Sequence, residues 1–242
     1  MSYLTNQPGA DRVPLNRVIA VVGCDGTGKT TLTRDLTLCL SEKGPARRRY
    51  MGLVSGEVGD KIKGLPIIGP RLENNLHRKV DRALDMEKKL PGTGTALIMY
   101  LFSIWRAYLV LRVKQLSKRG VQVIADRYPQ SEIDGFHYDG VGLTVGRTSN
   151  WLVRKLAEQE HKMYDWMSAQ VPALVIRLHV DEDTAQARKL DHDIAEIRDK
   201  IAVMPKLNFN GAVICEIDAA VPYPEVLEAM LKAIEEFMPA SP

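Results

Sequence analysis

The amino-acid sequence predicts an α/β fold of the P-loop kind: a three-layer α/β/α arrangement with a parallel central sheet flanked by helices. Three observations predict it. Arg17 to Gly23 (RVIAVVG) is a continuous apolar run, as a parallel strand buried on both faces requires. That run leads directly into a glycine-rich loop and an amphipathic helix. Apolar runs then alternate with helical stretches to the end of the chain, the pattern of successive strand–helix units.

In chain order, residues 1–16 (MSYLTNQPGADRVPLN) are polar, carry Pro and Gly and lack the apolar stretch of a signal peptide, so they read as a flexible tail. Residues 17–242 read as a single domain. After the loop, Leu32, Leu36, Cys39 and Leu40 recur at helical spacing, and Gly44 ends the helix. A weakly marked second strand falls near Arg49 to Val54. Residues 56–95 are punctuated by glycine and then polar and helical, which makes about 60–95 an insert. A helix from Ala96 to Arg119 follows and stops at Gly120. Its run LIMYLFSIWRAYLVL is too short for the roughly 20 residues of a spanning helix and contains Arg106, so it reads as a largely buried helix and no membrane span is predicted. The strand VQVIADRY ends in Asp126; residues 148–170 read as helix, and ALVIRLHV as strand. DEDTAQARK opens a helix with acids in its first turn, as the helix dipole favours. AVICEIDA is the last strand and VLEAMLKAIEEFM the last helix.

Net charge is only +3 with no polybasic block, which gives no basis for nucleic-acid or membrane binding through bulk charge. Cys24, Cys39 and Cys215 stand far apart without CxxC pairs and read as reduced thiols of a cytoplasmic protein. The histidines show no metal-ligand spacing.

Gly23-Cys24-Asp25-Gly26-Thr27-Gly28-Lys29-Thr30 fills every fixed position of GxxxxGK[ST]. Gly23, Gly26 and Gly28 let backbone N–H groups turn inward around phosphates, and the helix N-terminus adds positive potential. Lys29 is placed to reach the β- and γ-phosphates of ATP, and the Thr30 hydroxyl to ligate Mg²⁺. Asp126 ends a central strand beside this loop, where it either orients the metal or caps the next turn. Arg127 follows directly and suits a bidentate grip on an acceptor phosphate, a surface ion pair being the plainer alternative.

GCDGTGKTT followed downstream by DRYPQS resembles the thymidylate kinase family of P-loop nucleoside monophosphate kinases. LFSIWR, from Leu101 to Arg106, matches that family's LF-x-A-x-R, and the final strand ends IDA as family members do. The resemblance implies that Thr27 and Thr31 join the ATP site and that the turn at Ala219 flanks adenine. It also implies that Phe102 stacks on the acceptor base and Arg106 hydrogen-bonds it, that Asp25 contacts the sugar hydroxyl, and that Arg127 grips the phosphate. From periodicity alone Phe102 is a core residue. A homodimer also follows only from the resemblance.

Two departures bear on specificity. The family's arginine-proline-glycine-glycine-threonine segment is replaced by MGLVSGEVGDKIK, and its base-reading alanine-tyrosine-glutamine by Asp134, Gly135 and Phe136. The second change removes hydrogen bonds to the pyrimidine edge. The phosphate loop contains no arginine, so a lid at about 186–205 is expected to supply one to the charge that builds in transfer, Arg188 first and Arg198 second. Lys189, Lys200 and His192 read as solvated. These features predict ATP- and Mg²⁺-dependent phosphoryl transfer to a nucleoside monophosphate, dTMP by default. Two rivals stay open: a kinase of the same fold with a sugar or lipid-linked hydroxyl acceptor, and a non-catalytic nucleotide-binding protein.

Overall fold

The computed structural model describes residues 12–52, 93–133, 143, 150–188 and 194–238. Its strands are β1 (Val13–Gly23), β2 (Ala46–Tyr50), β3 (Gln122–Asp126), β4 (Gln170–His179) and β5 (Ile214–Asp218). Its helices are α1 (Lys29–Lys43), α2 (Thr93–Lys118), α3 (Trp151–Ser168), α4 (Glu182–Arg188), α5 (Ile194–Val203) and α6 (Tyr223–Phe237). The sheet is parallel throughout, in the order β2-β3-β1-β4-β5.

Alternation along β1 sorts the layers. Val18, Ala20 and Val22 share one cluster with Val110 and Val113 of α2 and Tyr164 and Met167 of α3. Ile19 and Val21 share the other with Leu32 and Leu36 of α1 and Val226, Met230 and Ile234 of α6. Ala185 of α4 and Ile197 of α5 join this second layer. The three-layer expectation is therefore met, with β1 at the centre and the phosphate loop at its C-terminal end.

Three boundaries differ from the sequence reading. β1 begins at Val13, so residues 13–16 belong to the sheet and not to a tail. Only Leu15 among them is buried, because this extension pairs with β4 alone. β2 lies at 46–50, earlier than 49–54, and is basic because it is the edge strand beside β3. α2 runs for 26 residues, beyond its apolar run. Its segment Ala96–Lys118 contains an 18-residue stretch of mean hydropathy 1.5 and is long and apolar enough to cross a membrane by length and composition. Only 28% of that stretch is buried, which corrects the expectation of a largely buried helix. Leu97, Leu101, Ile104, Trp105, Tyr108 and Leu111 are exposed on it. Most of the insert at 60–95, the specificity positions 134–136, and Lys189 and His192 lie outside the described residues.

Candidate functional site

The loop between β1 and α1 is shaped by close approaches. A Cβ on Gly23 would stand 2.4 Å from the Leu178 carbonyl oxygen, so the turn off β1 passes against β4 only as glycine. Gly26 has a φ of +86°, and a Cβ there would meet the Ala185 carbonyl oxygen of α4 at 2.9 Å. Gly28 caps α1 with no side-chain hydrogen bond, and no acid occupies the first turn. The first-turn N–H groups are thus left to an external anion.

Lys29 folds back over the loop, 5% exposed, its Nζ donating to the Cys24 carbonyl at 2.6 Å. Thr27 Oγ1 donates to the same carbonyl at 2.9 Å. Burial, and then the Arg127 guanidinium, lower the Lys29 ammonium from 10.5 to about 8, against the opposing pull of Asp25, Cys24 and Asp126. An ammonium held this way has the place and the charge to meet an anion at the loop. Thr30 and Thr31 are exposed on the first turn.

Asp126 is wholly buried at the end of β3. Its Oδ2 accepts from Arg48 of β2 at 2.7 Å and from Thr33 of α1 at 3.4 Å. Its Oδ1 has no hydrogen-bond partner among the described residues. Arg127 follows in left-handed backbone, φ 72°, its N–H donating to the Val21 carbonyl at 2.9 Å. For a β-carbon-bearing residue this conformation costs about 1–2 kcal/mol. It turns the guanidinium over the Tyr50 ring, 5.0 Å from its centroid, and to 3.8 Å from Asp25 Oδ1.

Asp25 also accepts from Lys200 of α5 at 2.6 Å. Burial alone would raise the Asp25 carboxyl, but Lys200 and Lys29 outweigh it and hold it at about 2. Lys200 is thus no solvated residue: its side chain is 16% exposed and ties α5 to the loop. Arg188 bridges from α4, donating to the Ala219 carbonyl at 2.8 Å and the Gly26 carbonyl at 3.4 Å. Arg198, by contrast, makes a two-pronged pair with Glu182 at 2.5 and 3.0 Å, its side chain 63% exposed.

The structure therefore brings together the residues of the loop, Asp126, Arg127 and Arg188. Phe102 and Arg106 lie on α2, across the sheet from α1. Phe102 is half-buried, and Arg106 is 2% exposed. Arg106 Nε donates to the Met51 carbonyl at 2.9 Å and a terminal nitrogen to the Tyr164 hydroxyl at 2.7 Å. Nearby, Glu160 accepts from Ser103 Oγ at 2.5 Å and the Leu143 N–H at 2.6 Å, and burial raises its carboxyl.

The sequence reading missed Arg48, Thr33, Ser103, Glu160 and Tyr164. Arg48 sits in a run of three arginines that reads as a charged surface, and its partner is 78 positions away. Glu160 carried a usable signal, since an acid on the buried face of a helix needs donors.

No family model matches the chain. It is similar to the uncharacterized ATP-binding protein YghR of Escherichia coli strain K12, 47% identical over 230 residues, covering 95% of this chain and 90% of that protein. It is 44% identical over 218 residues to the uncharacterized ATP-binding protein YghS of the same strain, covering 90% and 92%. Among solved structures it resembles deoxyadenosine kinase from M. mycoides, determined with dCMP and a flexible dCDP bound. The TM-score is 0.53 at 14% identity, over 90% of this chain and 99% of that one. That likeness is one of fold, and the fold is that of a P-loop kinase.

Proposed function

Since this chain belongs to the family of the E. coli ATP-binding proteins YghR and YghS, we propose that it is an ATP-dependent, cytoplasmic phosphotransferase. Its acceptor is a nucleoside monophosphate, with dTMP the default, as in the thymidylate kinases its motifs resemble. The observation that carries this reading is Lys29, buried within the phosphate loop at a helix N-terminus that has no side-chain cap.

In this reading Gly23 to Thr31 bind the ATP phosphates, and Lys29 meets the β- and γ-phosphates. Ala219 flanks the adenine, and Arg188 from the lid meets the charge that builds on the transferring phosphoryl group. Arg127 grips the acceptor phosphate, Asp25 meets the sugar, and Phe102 and Arg106 face the base. The donor set fits Mg²⁺: Thr30 offers an exposed hydroxyl and Asp126 a buried oxygen without a hydrogen bond. Among the described residues no three His, Cys, Asp or Glu side chains gather, which suits a cation held mainly by phosphates and water. Thr30 and Asp126 would hold Mg²⁺ on its protein side, where its charge would offset the negative charge that builds in transfer.

A monophosphate acceptor is already deprotonated near neutral pH, so positioning and cations suffice. The test is kcat/KM for dTMP, dUMP, dCMP and dGMP, with thymidine and deoxyadenosine alongside, under the same Mg-ATP. Turnover of monophosphates, with dTMP and dUMP close together, is expected because the family's base-reading tyrosine and glutamine are replaced. Turnover of the nucleosides alone would transfer the case to the hydroxyl acceptor.

A further inference from the structure

Arg48 has no part in the scheme above. It rises from β2 beneath α1, its Nε donating to Thr33 Oγ1 at 2.9 Å and a terminal nitrogen to Asp126 Oδ2 at 2.7 Å. The pair is enclosed, with the Asp126 side chain 0% and the Arg48 side chain 20% exposed. Asp126 Oδ1 lies on the side of Arg127, whose nearest terminal nitrogen is 3.9 Å away. The carboxylate is thus divided, one oxygen closed by Arg48 and the other left open toward Arg127 and the phosphate loop.

We infer that Arg48 makes metal binding at Asp126 conditional on nucleotide. The inference rests on the phosphoryl-transfer reading above. A guanidinium that already neutralises a carboxylate weakens its attraction for a divalent cation, and in a poorly hydrated site that effect is large. Arg48 and Arg127 flank Asp126, and Lys29 stands in the adjoining loop, so the nucleotide-free site is short of negative charge. A polyphosphate supplies what is missing, and the cation enters with it. Arg48 acts through Asp126 and is a positioning residue: by occupying Oδ2 it fixes Oδ1 as the oxygen that faces the metal's water shell. A bond that merely fastened β2 to its neighbours would change stability and leave metal affinity alone.

The experiment is Mn²⁺ binding by electron paramagnetic resonance to wild type, Arg48→Gln and Arg48→Lys, each with and without ADP, with folding checked by circular dichroism. Nucleotide-free wild type should bind Mn²⁺ no tighter than about 1 mM, and ADP should tighten this by a hundredfold or more, about 2.7 kcal/mol. Arg48→Gln should gain about tenfold or more in Mn²⁺ affinity without ADP, and Arg48→Lys should stay near wild type. Tight Mn²⁺ binding by nucleotide-free wild type, or unchanged binding by folded Arg48→Gln, overturns the inference. Should Arg48→Gln fail to fold, Thr33→Val loosens the same guanidinium, and no gain in Mn²⁺ affinity there overturns it equally. A wild type that binds no ADP under any condition fails the phosphoryl-transfer reading itself, and is distinguished from these outcomes by that measurement.

Discussion

Lys29 carries its charge at a cost that phosphate would remove. Its folded value of about 8 lies below the ordinary 10.5, so between these pH values the nucleotide-free protein has lost a proton that the unfolded chain keeps. For the free protein this means stability that rises with pH across that window. For binding it means the reverse, since an anion restores the ammonium. Binding of ADP should therefore take up close to one proton near pH 9 and almost none near pH 6.5, as about 90% of a group with that value is neutral one unit above it. Calorimetry in buffers of different ionisation enthalpy measures the uptake, and Lys29→Arg should abolish it. Arg127 offers a second contrast. Glycine at this position relieves the left-handed backbone and alanine does not, so Arg127→Gly should be more stable than Arg127→Ala by about 1 kcal/mol in denaturant unfolding. Both should raise the acceptor KM alike, far more than that for ATP, since both lose the guanidinium.

At the scale of elements, α4 and α5 close on the loop through Ala185 against Gly26, Arg188 against Gly26 and Ala219, and Lys200 against Asp25. The Asp25 carboxyl is depressed to about 2, so its contribution is present above the unfolded value of 3.8 and is lost as pH falls through 2. Lys200→Met should cost on the order of 1–2 kcal/mol at pH 7. It should also move the acid limb of the stability profile to higher pH, which denaturation between pH 2 and 7 would measure. An unchanged acid limb would mean that Lys29 and Arg127 set the Asp25 charge without Lys200. On the other face of the sheet, Arg106 is held between Met51 and Tyr164. A role in base recognition requires it to exchange one of those bonds for one to the acceptor.

For the whole molecule, a ligand that binds only the folded state stabilises it by mass action. ADP with Mg²⁺ at about a hundred times its Kd should add roughly 2.7 kcal/mol and raise Tm by about 5–10 °C for a domain of this size. Thermal melting checks this, and Lys29→Ala should lose most of the shift. Much of the architecture was legible in the sequence because its evidence is local. The loop is contiguous, and the runs that became β1, β3 and β4 are apolar on both faces because helices cover both. What was illegible depends on distant partners. Arg48 reads as an edge-strand cation until β3 is laid beside it, and Lys200 as a solvated lysine until α5 is folded onto Asp25, 175 positions away. Val13 to Asn16 look like a tail since pairing with β4 alone leaves them nearly as polar as a loop. The apolar run of α2 signalled burial, yet hydropathy states a preference and names no partner, and six large apolar side chains there are exposed.

The peptide groups around Asp126 are clamped from both sides. Val21 pairs in register with Asp126 and accepts from the Arg127 N–H, while the Met51 N–H donates to the Asp126 carbonyl at 2.9 Å. Backbone on both sides thus fastens the peptide groups at the C-terminal end of β3, and amide protons there are expected to exchange slowly, which hydrogen-exchange measurements would check. The short helices α4 and α5, held by side-chain contacts to the loop, are expected to exchange faster. On that expectation, the atoms that must hold their places would belong to the slow part of the molecule, and the timing of entry and release to the fast part.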